Sequence, residues 1–305
     1  MSEVQQEQIQ ESQHEHHHEH HEHGSHHRHK SKLKPVLYTV LSFFLAFVLS
    51  LLSVCIVVTC TIFSSDYMID TMRTNGYHEM VKSELQTDLE DLVDASGFEK
   101  QFVDSFVKKL DIRKAVEEYI ASFYTGSSTL VETTSFKQKL YSAIEEYIQE
   151  KKITVSDETK GNIAYFVNEA ADIYVTQISI PFFSTIANYI YKARSILNIV
   201  FISLSIVALV IAGIIFFTNE FKHRRFRYLF LGTTGAALTV LILPTVVLLS
   251  NKITKVNLVT RSLYTLFVNY FNGVFYSFYI WAGILVALSV VFMFLYVKHY
   301  RRVVH

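Results

Sequence analysis

The sequence predicts an all-α integral membrane protein with four transmembrane helices, a helical-bundle extracytoplasmic domain between the first and second, and both termini in the cytoplasm. Three observations predict it. Half of the 305 residues are hydrophobic, and they gather into four blocks of membrane length. The charged segment between the first two blocks repeats its apolar residues at helical spacing. Lys and Arg are concentrated in the termini and in one short loop, the pattern of cytoplasmic flanks.

Residues 1–34 hold few apolar side chains and cannot offset the entropy of ordering, so they read as a disordered, low-complexity, His-rich cytoplasmic tail. In it His14, His16, His17, His18, His20, His21, His23, His26, His27 and His29 are interleaved with Glu15, Glu19 and Glu22. Neutral imidazole suits Zn, Ni, Cu or Co, and histidines one, three and four residues apart can wrap such an ion in several equivalent ways. That multiplicity points to buffering rather than to one defined site. The interleaved glutamates separate the tract from an uninterrupted engineered tag. The rival reading is a pH sensor, since imidazoles gain charge as pH falls toward about 5.5 and would then adhere to anionic headgroups.

Residues 35–63 form the first span. Val36 to Phe63 carries no charge, and because its apolar region far exceeds the roughly 7–15 residues of a signal peptide with no A-x-A-like site after it, it reads as an uncleaved anchor. Residues 64–194 are the extracytoplasmic domain. Stripes at i, i+3/i+4, i+7 spacing run from Val81 to Val93, Phe98 to Leu110, Phe136 to Ile148 and Ile163 to Tyr174, with breaks at Asn75-Gly76, Ala95-Ser96-Gly97, Thr125 to Ser128 and Val155 to Asp157. Pro181 should kink or stop the helix that precedes the second span.

The second span is 195–218, followed by a basic cytoplasmic loop at 219–227. The third is 228–250, where Gly232, Gly235, Ala236 and Ala237 offer a close-approach face and Pro244 a bend. Residues 251–273 form an outer loop whose stripe of Val259, Leu263, Leu266, Phe267 and Tyr270 reads as an amphipathic helix lying in the interface. The fourth span is 274–297 and the tail is 298–305. The aromatic run from Tyr264 to Trp281 reads as an interfacial belt.

Orientation follows from the basic residues. Arg28, Lys30, Lys32 and Lys34 precede the first span, Lys222, Arg224, Arg225 and Arg227 follow the second, and Lys298, Arg301 and Arg302 close the chain. Four spans place these three segments on one side, which the positive-inside rule makes the cytoplasm. Neither disulfides nor N-x-S/T sequons are available outside the spans, which fits a bacterial cell (plasma) membrane.

No enzyme is expected: P-loop, dinucleotide glycine pattern, nucleophile elbow and HExxH are all missing, and His78-Glu79 lacks its second histidine. The acids Glu84, Asp88, Asp91 and Asp94 share one helical side and read as a solvated face. Cys55 and Cys60 point about 140° apart on a straight helix and form no clamp. The span cores hold no Asp, Glu, Lys, Arg or His, which argues against autonomous metal transport.

The order of spans is similar in layout to that of MacB-type ABC permeases, although the wholly helical outer domain departs from their mixed α/β one. The functional expectation is a non-enzymatic membrane sensor, scaffold or accessory protein with a metal-binding tail. The alternative is a transporter or permease subunit. The expected partners are the lipid bilayer and a homo-oligomer or membrane protein, with no nucleic acid.

Overall fold

The computed structural model describes residues 33–96, 98–126, 131–181, 183–258 and 260–304. The chain divides into two units, 1–37 and 38–305. Of the first, only the opening of a helix is described; the bundle and the remaining helices belong to the second. The histidine tract expected to bind metal lies outside the described residues.

Ten α-helices are described, with no strand among the described residues. They are α1 (Leu33–Cys60), α2 (Ser65–Thr74), α3 (Tyr77–Ser96), α4 (Lys100–Lys108), α5 (Ile112–Thr125), α6 (Thr134–Lys151), α7 (Asp157–Ile178), α8 (Phe183–Thr218), α9 (Lys222–Leu249) and α10 (Arg261–Val304). A 3-10 turn, Ile253–Lys255, joins the last two. Four stretches are long and apolar enough to cross a bilayer, as a multi-pass membrane protein requires: Lys34–Cys60, Tyr189–Thr218, Lys222–Lys255 and Arg261–Arg302.

Helices α2–α7 form a bundle organised around α3, which packs against α2, α4, α5, α7 and α10. Tyr77, Val81, Leu85, Leu89 and Val93 lie one helical turn apart along α3 and are 0–2% exposed, so the stripe read from sequence is the bundle's centre. The caps are chemical. Ser64, Asp111 and Ser156 accept from the backbone N–H of Tyr67, Lys114 and Thr159, while Gly76 and Gly126 take the left-handed φ of 64° and 69° that ends a helix cheaply.

Two bundle helices, α2 and α5, were not among the expected stripes. The α5 pattern is regular, since Ile112, Val116, Ile120 and Phe123 recur at helical spacing and are all buried. The α2 pattern is weak, because only Met68 and Met72 are buried among ten residues.

At Pro181 the outcome is a stop. Helix α7 ends at Ile178, Ser179 leaves with an extended backbone at ψ 138°, and α8 begins at Phe183. By contrast the expected interfacial helix is not a separate element. Arg261–Val304 is one uninterrupted helix, about 66 Å long at 1.5 Å per residue and twice the hydrocarbon thickness of about 30 Å. The stripe that suits an interface also suits a protein groove, and the bundle supplies that groove.

Within the membrane the small-residue face of α9 packs inside the chain. A Cβ at Gly232 would fall 2.9 Å from Leu45 Cδ2 and 3.3 Å from the Ser42 carbonyl, and one at Gly235 would fall 3.0 Å from Ala46 Cβ. Ser42 donates to the Tyr228 carbonyl at 2.8 Å, which fixes the register of α1 on α9. Thr233 and Thr234 bond back to Leu229 and Phe230, and Thr234 also reaches Ser289 of α10 at 2.6 Å.

Candidate functional site

The candidate site is the junction where the bundle grips α10. It begins with a cap. Ser262 opens α10, and its backbone N–H donates at 2.9 Å to the carboxylate of Glu84 on α3, whose other oxygen accepts from the Ser262 hydroxyl. A carboxylate at a helix N-terminus satisfies free N–H groups and complements the positive end of the helix dipole. The acidic row expected to be solvated is therefore partly structural: Asp88 accepts from Gln177 of α7, and Asp94 pairs with Lys100 at 3.0 Å.

Below the cap, Leu266, Tyr270, Val274 and Phe278 of α10 are buried and belong to one apolar cluster with the bundle. That cluster takes in Val57 of α1, Ala236, Ala237 and Val240 of α9, and Ala282 and Leu285 of α10. One core therefore runs from the charged bundle into the spans.

Three tyrosines line the crossing. The rings of Tyr67 (α2) and Tyr270 meet edge to face at 5.6 Å. Tyr124 (α5) donates to the Ile62 carbonyl at 3.2 Å, and Tyr270 reaches the Thr61 carbonyl at 3.4 Å, so the frayed end of α1 finds partners for its free carbonyls. Burial pushes the Tyr67 and Tyr124 hydroxyls above their ordinary range. Gly273 belongs to this geometry, because a methyl group there would overlap the Tyr67 hydroxyl. Much of the expected aromatic belt is thus junction core, although Tyr276, at 59% exposed, retains an outward place.

A charged knot joins α2, α3 and α5. Arg73 donates to both carboxylate oxygens of Glu117 at 2.8 and 2.7 Å, and Arg113 adds a third bond at 3.0 Å. The two Arg73 bonds, with the one from Arg113, pull the Glu117 pKa down to about 2. His78 is buried beside it with Nε2 3.9 Å from Glu117 Oε1 and no hydrogen-bond partner among the described residues. Burial lowers its pKa, and the Arg113 and Arg73 charges add to that against the opposing pull of Glu117 and Glu79.

A cleft of about 240 Å³ opens between α5 and α6, where Phe136 and Tyr174 stack at 4.3 Å and Asp111, Glu118, Glu132 and Lys139 form the rim. Burial, with the charges of Glu132, Glu118 and Asp111, raises Tyr174 to about 12. Of the hydroxyls that line it, that of Ser122 donates to the Tyr119 carbonyl at 2.7 Å. No group of three His, Cys, Asp or Glu among the described residues is placed to hold a metal ion, and Cys55 is buried while Cys60 is exposed.

Sequence reasoning missed the junction and the knot: the Leu263, Leu266 and Tyr270 stripe was the junction's local signal, read there as interfacial, and the stripe of Ile112, Val116, Ile120 and Phe123 would have found the helix that carries Glu117. Comparison with protein families, characterised proteins and solved structures finds no match.

Proposed function

We propose that the chain is a non-enzymatic sensor or scaffold in a bacterial plasma membrane, with its bundle extracytoplasmic, both termini cytoplasmic and a metal-binding histidine tail. One observation carries the reading: the single apolar core shared by the bundle, α9 and α10. A stress on the bundle has no soft layer to dissipate in before it reaches α10, and α10 ends in Lys298, Arg301 and Arg302, next to the basic segment Lys222 to Arg227 in the positive-inside layout. The absence of ionisable side chains from the span cores leaves a sensor or scaffold simpler than a conduit. The tail, by its ligand chemistry, would take Zn, Ni, Cu or Co and bring that load to the cytoplasmic face.

Two experiments test it. Gentle solubilisation from native membranes should recover the protein with a constant partner or as a homo-oligomer, and a lone monomer overturns the scaffold. Cellular Zn, Ni, Cu and Co content should shift for one metal when His14 to His29 are deleted, and no shift removes the metal role. Metal-dependent uptake by purified protein in liposomes would instead make it a transporter.

A further inference from the structure

Where α1 ends and α8 enters the membrane on the bundle side, a cleft of about 250 Å³ is lined by Cys60, Ser64, Ser65, Asp66, Arg194 and Asn198, among others. Arg194 and Asn198 are one turn apart, so they share a face of α8. Both are exposed, and neither has an ion-pair or hydrogen-bond partner among the described residues. A snorkelling arginine alone would be ordinary. The Asn198 amide, one turn deeper at the outer end of the span, adds a neutral donor on the same face, within the headgroup layer.

The same face of α8 continues as Phe201, Ile202 and Leu209, at 37%, 57% and 73% exposed. On α1 the face beneath Cys60 continues as Ile56 and Leu52. A polar cleft thus sits directly above an uncovered apolar strip. The opposite wall is the N-terminus of α2, where Ser64 already caps the Tyr67 N–H and the free first-turn N–H groups favour an anion. Asp66 in that first turn forms no ion pair with Arg194 or with any other described residue.

We infer that this cleft is a binding site for one phospholipid with a primary-amine headgroup. Its phosphate is held by Arg194, Asn198 and the first turn of α2, its ammonium by Asp66, and its acyl chain lies along Phe201, Ile202 and Leu209. A zwitterion matches a cleft whose cation and carboxylate are both unpaired among the described residues. An anionic glycerol headgroup would leave Asp66 repelled. The fit is one of charge as well as shape, and it places the lipid at the level where headgroups lie.

The test is native mass spectrometry of the full chain released from micelles containing equal phosphatidylethanolamine and phosphatidylglycerol. The expected result is one retained phosphatidylethanolamine, favoured by about tenfold, the ratio that one well-placed ionic bond supports. Arg194→Gln should abolish retention, and Asp66→Asn should keep a lipid but lose the preference, with unchanged circular dichroism showing both variants folded. Equal retention by Arg194→Gln, a preference for phosphatidylglycerol in the intact chain, or no retained lipid at all would overturn the site.

Discussion

Helices α8 and α10 both leave the bundle and cross the membrane, and they are attached to it in opposite ways. Helix α10 is continuous through the boundary, capped by Glu84 and cored by Leu266, Tyr270 and Val274. Helix α8 starts afresh after the Pro181 stop and touches that core only with its first turns: Phe123 stacks on Phe183 at 4.4 Å, Ile190 packs against the cluster, and Tyr191 lies against Gly126. Only about 11% of the most apolar stretch of α8 is buried. A helix that shares a core moves with it, whereas a helix joined through a break and a few rings can tilt by itself. On the proposed sensor reading the route through the membrane is α10, with the break at Pro181 separating α8 from it.

The largest test of that contrast is Leu85→Ala. Emptying a fully buried leucine on α3 should cost about 2–5 kcal/mol. Hydrogen exchange should quicken in residues 262–274 together with α3, and the middle of α8 should be unmoved. Equal quickening in α8 would erase the distinction.

Next is Gly273→Ala, which drives a methyl into the Tyr67 hydroxyl and should cost about 1–3 kcal/mol. Adding Tyr67→Phe removes the obstructing oxygen, so the double variant should regain most of the loss in thermal unfolding. A purely additive pair would mean that the glycine serves some other purpose.

Removing the α10 cap with Glu84→Ala should cost about 1 kcal/mol, seen as earlier melting of residues 261–266 by exchange.

The pH dependence is smaller. His78 is harder to protonate in the folded than in the unfolded chain, so the unfolded chain binds more protons and stability falls as pH drops below the ordinary value of 6.5. Glu117 acts in the same direction lower down, its contribution being complete above 4.5 and lost as pH falls toward about 2. Arg73 from α2, Arg113 and Glu117 from α5, and Glu79 on α3 are the charges around His78. His78→Phe should flatten the melting temperature between pH 7 and pH 5 and leave the Glu117 fall intact.

The smallest effect belongs to α8. Ile206→Ala, at a side chain 56% exposed, should change stability by no more than about 0.5 kcal/mol.

The four apolar blocks were legible because twenty-odd residues of one character need no partner to be read. The α3 stripe was legible for a similar reason, since Val81, Leu85 and Leu89 announce a buried face wherever it lies. The boundary of α10 was not legible. Leu263, Leu266 and Tyr270 make the same stripe against lipid or protein, and the residue that decides between them, Glu84, is 178 positions away. Gly273 is similarly silent in sequence, because only the arrival of Tyr67 from another helix gives it a purpose. Among the acids, the row on α3 displayed its spacing and concealed its partners, Ser262 and Gln177.

The shared core also fixes an order of assembly. The last bundle helix, α7, is complete at Ile178, 84 positions before Ser262, and at about 5–20 residues per second that gap lasts roughly 4–17 seconds. During it the bundle has every helix it encodes locally and still lacks the wall that Leu266, Tyr270 and Val274 provide. The nascent chain must therefore wait, with an open apolar trough at the membrane surface, for its last helix to arrive.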